Sequence, residues 1–310
     1  MKLITKILKL NRNFFPVIFA GIFLFSCGEP VPTEIIPAAS AEDEFEVEIL
    51  SPNPDEYVYS TGYDSTGIVE PIPRFDTYVL LSGVRKEFEG NVKYKGYGGA
   101  VFFDKDAPVF DPLGKLIGFR SHRLGKVTFD GDSTRVVSRF IRYLFDGEIR
   151  DTVAGVRHIS IFDKRNPVHQ SFPYDKDVHF KLKTLGGGTF ETVIHTPPEI
   201  IGKLKITGSR ANGDLKVELL WNGTGRGKAE IIFGGILKSN GELFPLMRFT
   251  IADKGRIRIP NSALLNIPFD RFDKMAITLI RRFEDLVDNN TLKKNFIAAQ
   301  SIHNIVFDVP

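Results

Sequence analysis

The stretch Val127–Val153, VTFDGDSTRVVSRFIRYLFDGEIRDTV, decides how the chain folds. Two Asp-Gly pairs, Asp130-Gly131 and Asp146-Gly147, punctuate runs of β-branched and aromatic residues. Asp-Gly supplies the positive φ angles that a two-residue hairpin turn requires. Val127–Phe129, then Thr134–Val137 with Phe140–Phe145, then Glu148–Val153 read as a three-strand meander. Similar runs recur upstream at Tyr57–Tyr59, Thr77–Leu81, Ala100–Phe103 and Leu124–Phe129. Downstream, in Asp177–Leu185, Val178, Phe180 and Leu182 alternate with His179, Lys181 and Lys183. That is the period of a strand with one buried and one wet face.

Thr196-Pro197-Pro198-Glu199 interrupts this pattern, because two prolines cannot donate ladder hydrogen bonds and hold the flanking chain extended. Beyond it hairpin signals restart: Ile201–Thr207 and Leu215–Trp221 flank Ala211-Asn212-Gly213-Asp214, and Ala229–Leu237 and Leu243–Ile251 flank Asn240-Gly241. Gly255–Ile259, Met275–Arg281 and Ile302–Val309 complete about seven strands, and Asn261–Leu265 has the composition of a single helical turn. The expected fold class is all-β, with two antiparallel β-sandwich domains. The first spans 46–195; the second, 199–310, has an immunoglobulin- or fibronectin-like pattern.

The N-terminus carries an address. Lys2, Lys6, Lys9 and Arg12 precede thirteen apolar residues, Phe14–Ser26, and no acidic residue occurs before Cys27. Thirteen residues are too few to span a bilayer as a helix, which takes about 20, and a basic lead with a short apolar core is the pattern of a secretory signal peptide. The exit, Leu24-Phe25-Ser26-Cys27, resembles the lipobox of bacterial lipoproteins, although Phe25 departs from the small residue often found there. The resemblance covers the first 27 residues. It implies a signal peptide at 1–26 and a Cys27 that carries a thioether-linked diacylglycerol and an acylated amine, anchoring the chain to a lipid bilayer. Sorting of such lipoproteins resembles a signal read just after the cysteine. Gly28, rather than Asp, implies the outer membrane, with the folded part facing the periplasm or the surface. Residues 27–45, bearing Pro30, Pro32 and Pro37 among acidic residues, read as a semi-rigid tether.

Charge and cysteine content exclude other classes. The chain has 41 Lys and Arg against 38 Asp and Glu; without the four basic residues before Cys27 the balance is 37 against 38. Nothing in that balance argues for nucleic acid. Cys27 is the single cysteine, so no intrachain disulfide forms and stability comes from burial, with 27 Phe to supply aromatic cores.

The sequence holds no Gly-x-Ser-x-Gly elbow, His-Glu-x-x-His pair, P-loop or dinucleotide fingerprint, and no cofactor is expected. Asp175, Asp177 and His179 would share a strand face and offer two carboxylates and an imidazole to a metal ion, though Lys181 and Lys183 on that face repel a cation. Asp285, Asp288, Asn289 and Asn290 offer oxygens for calcium but lack the alternating spacing of a calcium loop. Seven arginines in 120–157 would suit an anionic glycan or lipid headgroup if they shared a face. Trp221 at a strand end is either a sugar platform or a core residue. Ser65, Ser133 and Thr152 lie in three-residue segments resembling an O-glycosylation consensus of some Gram-negative envelopes. Together these readings describe a lipid-anchored, non-catalytic binding or structural module with an envelope glycan or protein as partner. The alternatives are a glycan-active envelope enzyme, or a glycan- or peptide-capturing subunit of an outer-membrane transporter.

Overall fold

Seventeen strands carry the fold of the residues that the computed structural model describes, 45–49, 75–146, 148–162, 171–239, 241, 243–265, 267–288 and 294–310. The signal peptide, Cys27, the tether to residue 44, Tyr57–Tyr59 and Ser65 lie outside the described residues. In chain order the first half forms β1 (Phe45–Ile49), β2 (Thr77–Phe88), β3 (Asn91–Phe110), β4 (Leu116–Ser121), β5 (Gly125–Phe129), β6 (Asp132–Ser133), β7 (Arg135–Phe145), β8 (Glu148–Phe162), β9 (Asp177–Thr184) and β10 (Thr189–His195). The second half forms β11 (Gly202–Thr207), β12 (Lys216–Trp221), β13 (Lys228–Leu237), β14 (Leu243–Ala252), β15 (Arg256–Ile259), the short helix α1 (Asn261–Leu265), β16 (Phe272–Val287) and β17 (Asn295–Asp308). The all-β expectation holds.

One sheet of ten strands, in the order β1-β14-β13-β16-β17-β2-β3-β4-β8-β7, forms the body. Two smaller sheets, β10-β9-β5-β6 and β11-β12-β15, complete the fold. Each contributes side chains to one core on the inner face of the body. One core joins Val79, Leu81, Ala100 and Phe102 of the body to Val127, Phe129, Val178, Phe180, Leu182, Phe190 and Ile194, and includes Ile297 and Ala299 of β17. The other joins Phe233, Phe249, Ile277 and Leu279 to Val217, Leu219 and Ile257, and apart from Val47 is drawn from residues 200–305.

The expected boundary is where the chain passes from the first core to the second, yet the main sheet runs across it. β17 pairs parallel with β2 from Asn295↔Thr77 to Val306↔Phe88, so the sheet is continuous between 46–195 and 199–310 and not antiparallel throughout. All described residues belong to one compact unit, Ile35–Pro310.

The meander is corrected. Asp130 (φ 48°) and Gly131 (φ 86°) do make a tight turn, but it closes only β5 onto the two residues of β6. Thr134 then ends that pairing, its N–H bonding the Val127 carbonyl at 3.0 Å, and the chain leaves the small sheet for the main one. Thr134–Val137 and Phe140–Phe145 fall largely within the single strand β7, which among the described residues pairs only with β8. The turn code was read correctly; the change of sheet between the two turns has no local signature.

Candidate ligand pocket

A solvent-facing hollow of about 600 Å³ opens where β3, the end of β8, the β5–β6 turn and the segment before β9 meet the linker residue Glu199. Its floor is aromatic. Phe162 and Phe172 meet edge-on at 5.9 Å between centroids, and Phe172 and Tyr174 at 4.8 Å. Glycines make this possible. A Cβ on Gly83 of β2 would lie 2.4 Å from Phe172 and 2.6 Å from Tyr174, and one on Gly96 of β3 would lie 2.7 Å from Phe162. Glycine inside a strand weakens it unless something must approach the backbone closely, and here the rings of Phe172 and Tyr174 and the Cβ of Phe162 do.

Around this floor stand Tyr94, Lys95, Lys176, Asp130, Asp177 and Glu199. Tyr94 is positioned by Arg85, whose Nη1 donates to the tyrosine hydroxyl while the guanidinium carbon sits 5.4 Å from the ring centroid. The same Arg85 lies 3.5 Å from Glu87 and 3.9 Å from Glu199. Burial, with the Glu199 charge beside it, raises the Tyr174 phenol far above its ordinary range, so it stays protonated.

Beneath the rim, His303 is fully buried. The Gly202 N–H donates to its Nδ1 at 2.8 Å, which places the neutral ring's proton on Nε2, facing Glu87 Oε2 at 3.4 Å. The 3.3 Å approach of Arg85 Nε to that protonated nitrogen is then a contact, since both groups are donors. Burial and the Arg85 charge lower the His303 pKa to about 4.

The linker is held by a second polar cluster. Arg281 and Asp253, both buried, pair at 2.7 Å. Trp221 Nε1 donates to the other Asp253 oxygen at 2.6 Å. Arg281 also donates to the Pro198 carbonyl at 3.1 Å and the Asn222 carbonyl at 2.8 Å. Burial alone would raise the Asp253 pKa, but the bonds from Arg281, Trp221 and Thr224 outweigh it and hold the carboxyl below its usual range. Trp221 is therefore a core residue hydrogen-bonded to a buried carboxylate, not a sugar platform.

The proposed metal triad does not assemble. Asp177 sits opposite His195 in the β9–β10 ladder, and His195 Nδ1 lies 2.8 Å from Asp177 Oδ1, with its Nε2 3.9 Å from Asp175. His179 is paired with Val193 instead. The imidazole facing the two carboxylates is thus the cross-strand one, and it offers a different nitrogen to each. Among the described residues, no group of three or more His, Cys, Asp or Glu is arranged to hold a metal ion.

The other candidates scatter. Arg139 donates to the Phe119 carbonyl at 2.9 Å and lies over Phe103, and Arg150 lies over Phe145, so these guanidinium groups are engaged within the fold. Asp288 accepts from the Lys294 N–H, closing the β16–β17 connection, and Asn289 and Asn290 lie outside the described residues. Ser133 is exposed in β6, while Thr152 is half-buried within β8.

Sequence reasoning missed the pocket. Its one legible signal was Gly96-Tyr97-Gly98-Gly99, three glycines in four residues immediately before a strongly apolar strand run. Among the described residues no helix is long and apolar enough to cross a membrane. No protein-family model matches the chain, and no curated protein matches it in sequence.

Proposed function

We propose that this protein is a bacterial envelope lipoprotein, held in the outer membrane by acyl chains on Cys27, whose folded part captures a saccharide in the pocket beside Tyr94. The observation that carries the binding half of this reading is an aromatic floor ringed by three carboxylates and two ammonium groups. A sugar ring offers an apolar face to an aromatic side chain and a rim of hydroxyls that donate to carboxylates and accept from ammonium groups. Binding is favoured over catalysis by how the carboxylates are occupied. Asp130 accepts the His179 N–H at 2.7 Å, Asp177 pairs with His195, and Glu199 stands beside Arg85. A carboxylate already engaged by a backbone N–H or a cross-strand imidazole shapes the rim, and a proton-shuttling group must instead be within reach of the bond it serves.

Titration calorimetry with oligosaccharides from bacterial envelopes tests the pocket. Tyr94→Ala should weaken binding by at least about tenfold, a loss of roughly 1.4 kcal/mol. Unchanged affinity would remove the pocket from the reading, and release of shortened sugars would favour the enzyme alternative. The anchor is tested by detergent partitioning of Cys27→Ala, which should move to the aqueous phase; retention with the detergent would end the lipoprotein reading.

A further inference from the structure

Each small sheet turns one face to a core and one to solvent, and the two solvent faces carry charge differently. On β10-β9-β5 the exposed residues Lys126, Lys181 and Lys183 stand with Asp177 and Glu191. Lys181 pairs with Glu191 at 2.5 Å, and Asp177 is engaged by His195. On β11-β12-β15 the outward charged residues are Lys203 and Lys205 of β11, Lys216 and Glu218 of β12, and Arg256 and Arg258 of β15. Five cations share this face with one carboxylate, and among the described residues none of the six takes part in an ion pair.

The registers lay the face out. Lys203, Leu220 and Arg256 form one row across the strands, Lys205, Glu218 and Arg258 the next, and Lys216 stands opposite Thr207 in a third. At strand spacing and rise the array covers about 10 Å by about 14 Å. Like charges gathered on one surface repel and reduce stability. In a chain with 41 basic and 38 acidic side chains, so one-signed an array marks a place for an anionic partner.

The layout selects that partner. A thread-like polyanion lying along the strands meets one column, Lys203 with Lys205 or Arg256 with Arg258, and one lying across them meets the two cations of a row. A flat surface of phosphates meets all five at once. Leu220, 42% exposed between Lys203 and Arg256, adds an apolar centre suited to the boundary between headgroups and acyl chains, and the long Lys and Arg stems reach past it to the phosphates. The inward residues of these strands, Val217, Leu219, Ile257 and Ile259, share a core with Val47 of β1, the first described strand.

We propose that the solvent face of β11-β12-β15 docks on the anionic phosphate surface of a lipid bilayer. It is a second membrane contact, made by residues on which the acyl-anchor reading does not depend, and a lipid chain joined to a basic patch holds a protein more firmly than either alone.

Fluorescence of the full chain tests this on a Cys27→Ser background, which leaves the anchor reading out of the result. An environment-sensitive fluorophore is attached at Leu220→Cys within the array, or at Val193→Cys, a 52% exposed site on the solvent face of β10. Vesicles of phosphatidylcholine with phosphatidylglycerol should shift the signal at Leu220→Cys and not at Val193→Cys, and pure phosphatidylcholine should shift neither. Lys203→Gln, Lys205→Gln and Arg258→Gln together should raise the lipid concentration for half response about 100-fold, at about fivefold per cation, while β-type circular dichroism persists. Lys126→Gln, Lys181→Gln and Lys183→Gln together should leave it unchanged. No shift at Leu220→Cys, equal shifts at both sites, or an equal shift with pure phosphatidylcholine overturns the proposal without any need for the charge variants to fold. The same shift produced by soluble polygalacturonate in place of vesicles also overturns it, and assigns the face to an anionic polysaccharide.

Discussion

The two cores use the same material in different ways. The core under β11-β12-β15 takes one buried side chain, Val47, from outside residues 200–305, whereas the core under β5-β9-β10 depends on Ile297 and Ala299 from the far end of the chain. β17 explains the difference. It is the last strand in sequence but a central one in the sheet, between β16, its antiparallel hairpin partner, and β2, its parallel neighbour. Antiparallel neighbours joined by a short connection form locally, while a parallel partner more than 200 residues away closes a long loop for its contacts. On that ground the C-terminal region is expected to form first and the N-terminal region to assemble onto it.

Separating the regions breaks the comparison most severely. Residues 199–310 expressed alone should give a β-type spectrum and a cooperative urea transition, although the freed edge of β17 invites association. Residues 75–198 alone lose β17, twelve paired rows and part of their core, and should show no cooperative transition. A cooperative transition in the second fragment would mean that its core is self-sufficient and that the parallel ladder is an embellishment.

A smaller effect separates the polar clusters of the two regions. Arg281 is buried, pairs with Asp253 and bonds the linker carbonyl of Pro198, so Arg281→Met strands a buried charge and two acceptors. A loss of about 3–5 kcal/mol is expected. Arg85, which holds the pocket residue Tyr94, is partly solvated, with 16% of its side chain exposed, and Arg85→Met should cost about 1–3 kcal/mol. Urea midpoints of the two variants check the ranking; equal losses would mean that the pocket wall is as structurally committed as the linker clamp.

Most strands were legible from turn pairs and period-two patterns, because those signals are local. Asp177–Leu185, Ala229–Leu237 and the helical turn Asn261–Leu265 all fall within a residue or so of β9, β13 and α1. What was not legible is whatever depends on distant pairing. Nothing near Asn295 marks β17 as the neighbour of Thr77. Nothing near Asp177 reveals that His195, rather than His179, will face it, since that follows from the β9–β10 register. The pocket combines both difficulties: its glycines lie on β2 and β3, and the rings that need the space arrive from residues 162–174.

The smallest effect concerns one histidine in each setting. His158, in the N-terminal core against Phe102, accepts no proton easily: Thr134 donates its hydroxyl to the Val127 carbonyl, so His158 must donate from Nδ1 to the Thr134 oxygen. Burial, aided by Arg123, lowers its pKa to about 4, as burial and Arg85 do for His303. An unfolded histidine titrates near 6.5, so between about 6.5 and 4 the unfolded chain binds protons that the folded one does not. The stability each neutral ring contributes is fully present above about pH 6.5 and is lost as pH falls toward 4. At most about 3 kcal/mol is at stake per ring. Urea midpoints from pH 7.5 to 4 should therefore decline with acid, and His158→Gln or His303→Gln should flatten the decline. Because the C-terminal core takes only Val47 from outside residues 200–305 while the N-terminal core depends on Ile297 and Ala299, acid should loosen the N-terminal side first. Hydrogen exchange at pH 5 should show protection falling in β8 and β9 before β13 and β14. Simultaneous loss in all four strands would mean that the parallel ladder makes the two regions one cooperative unit and that their difference is architectural only.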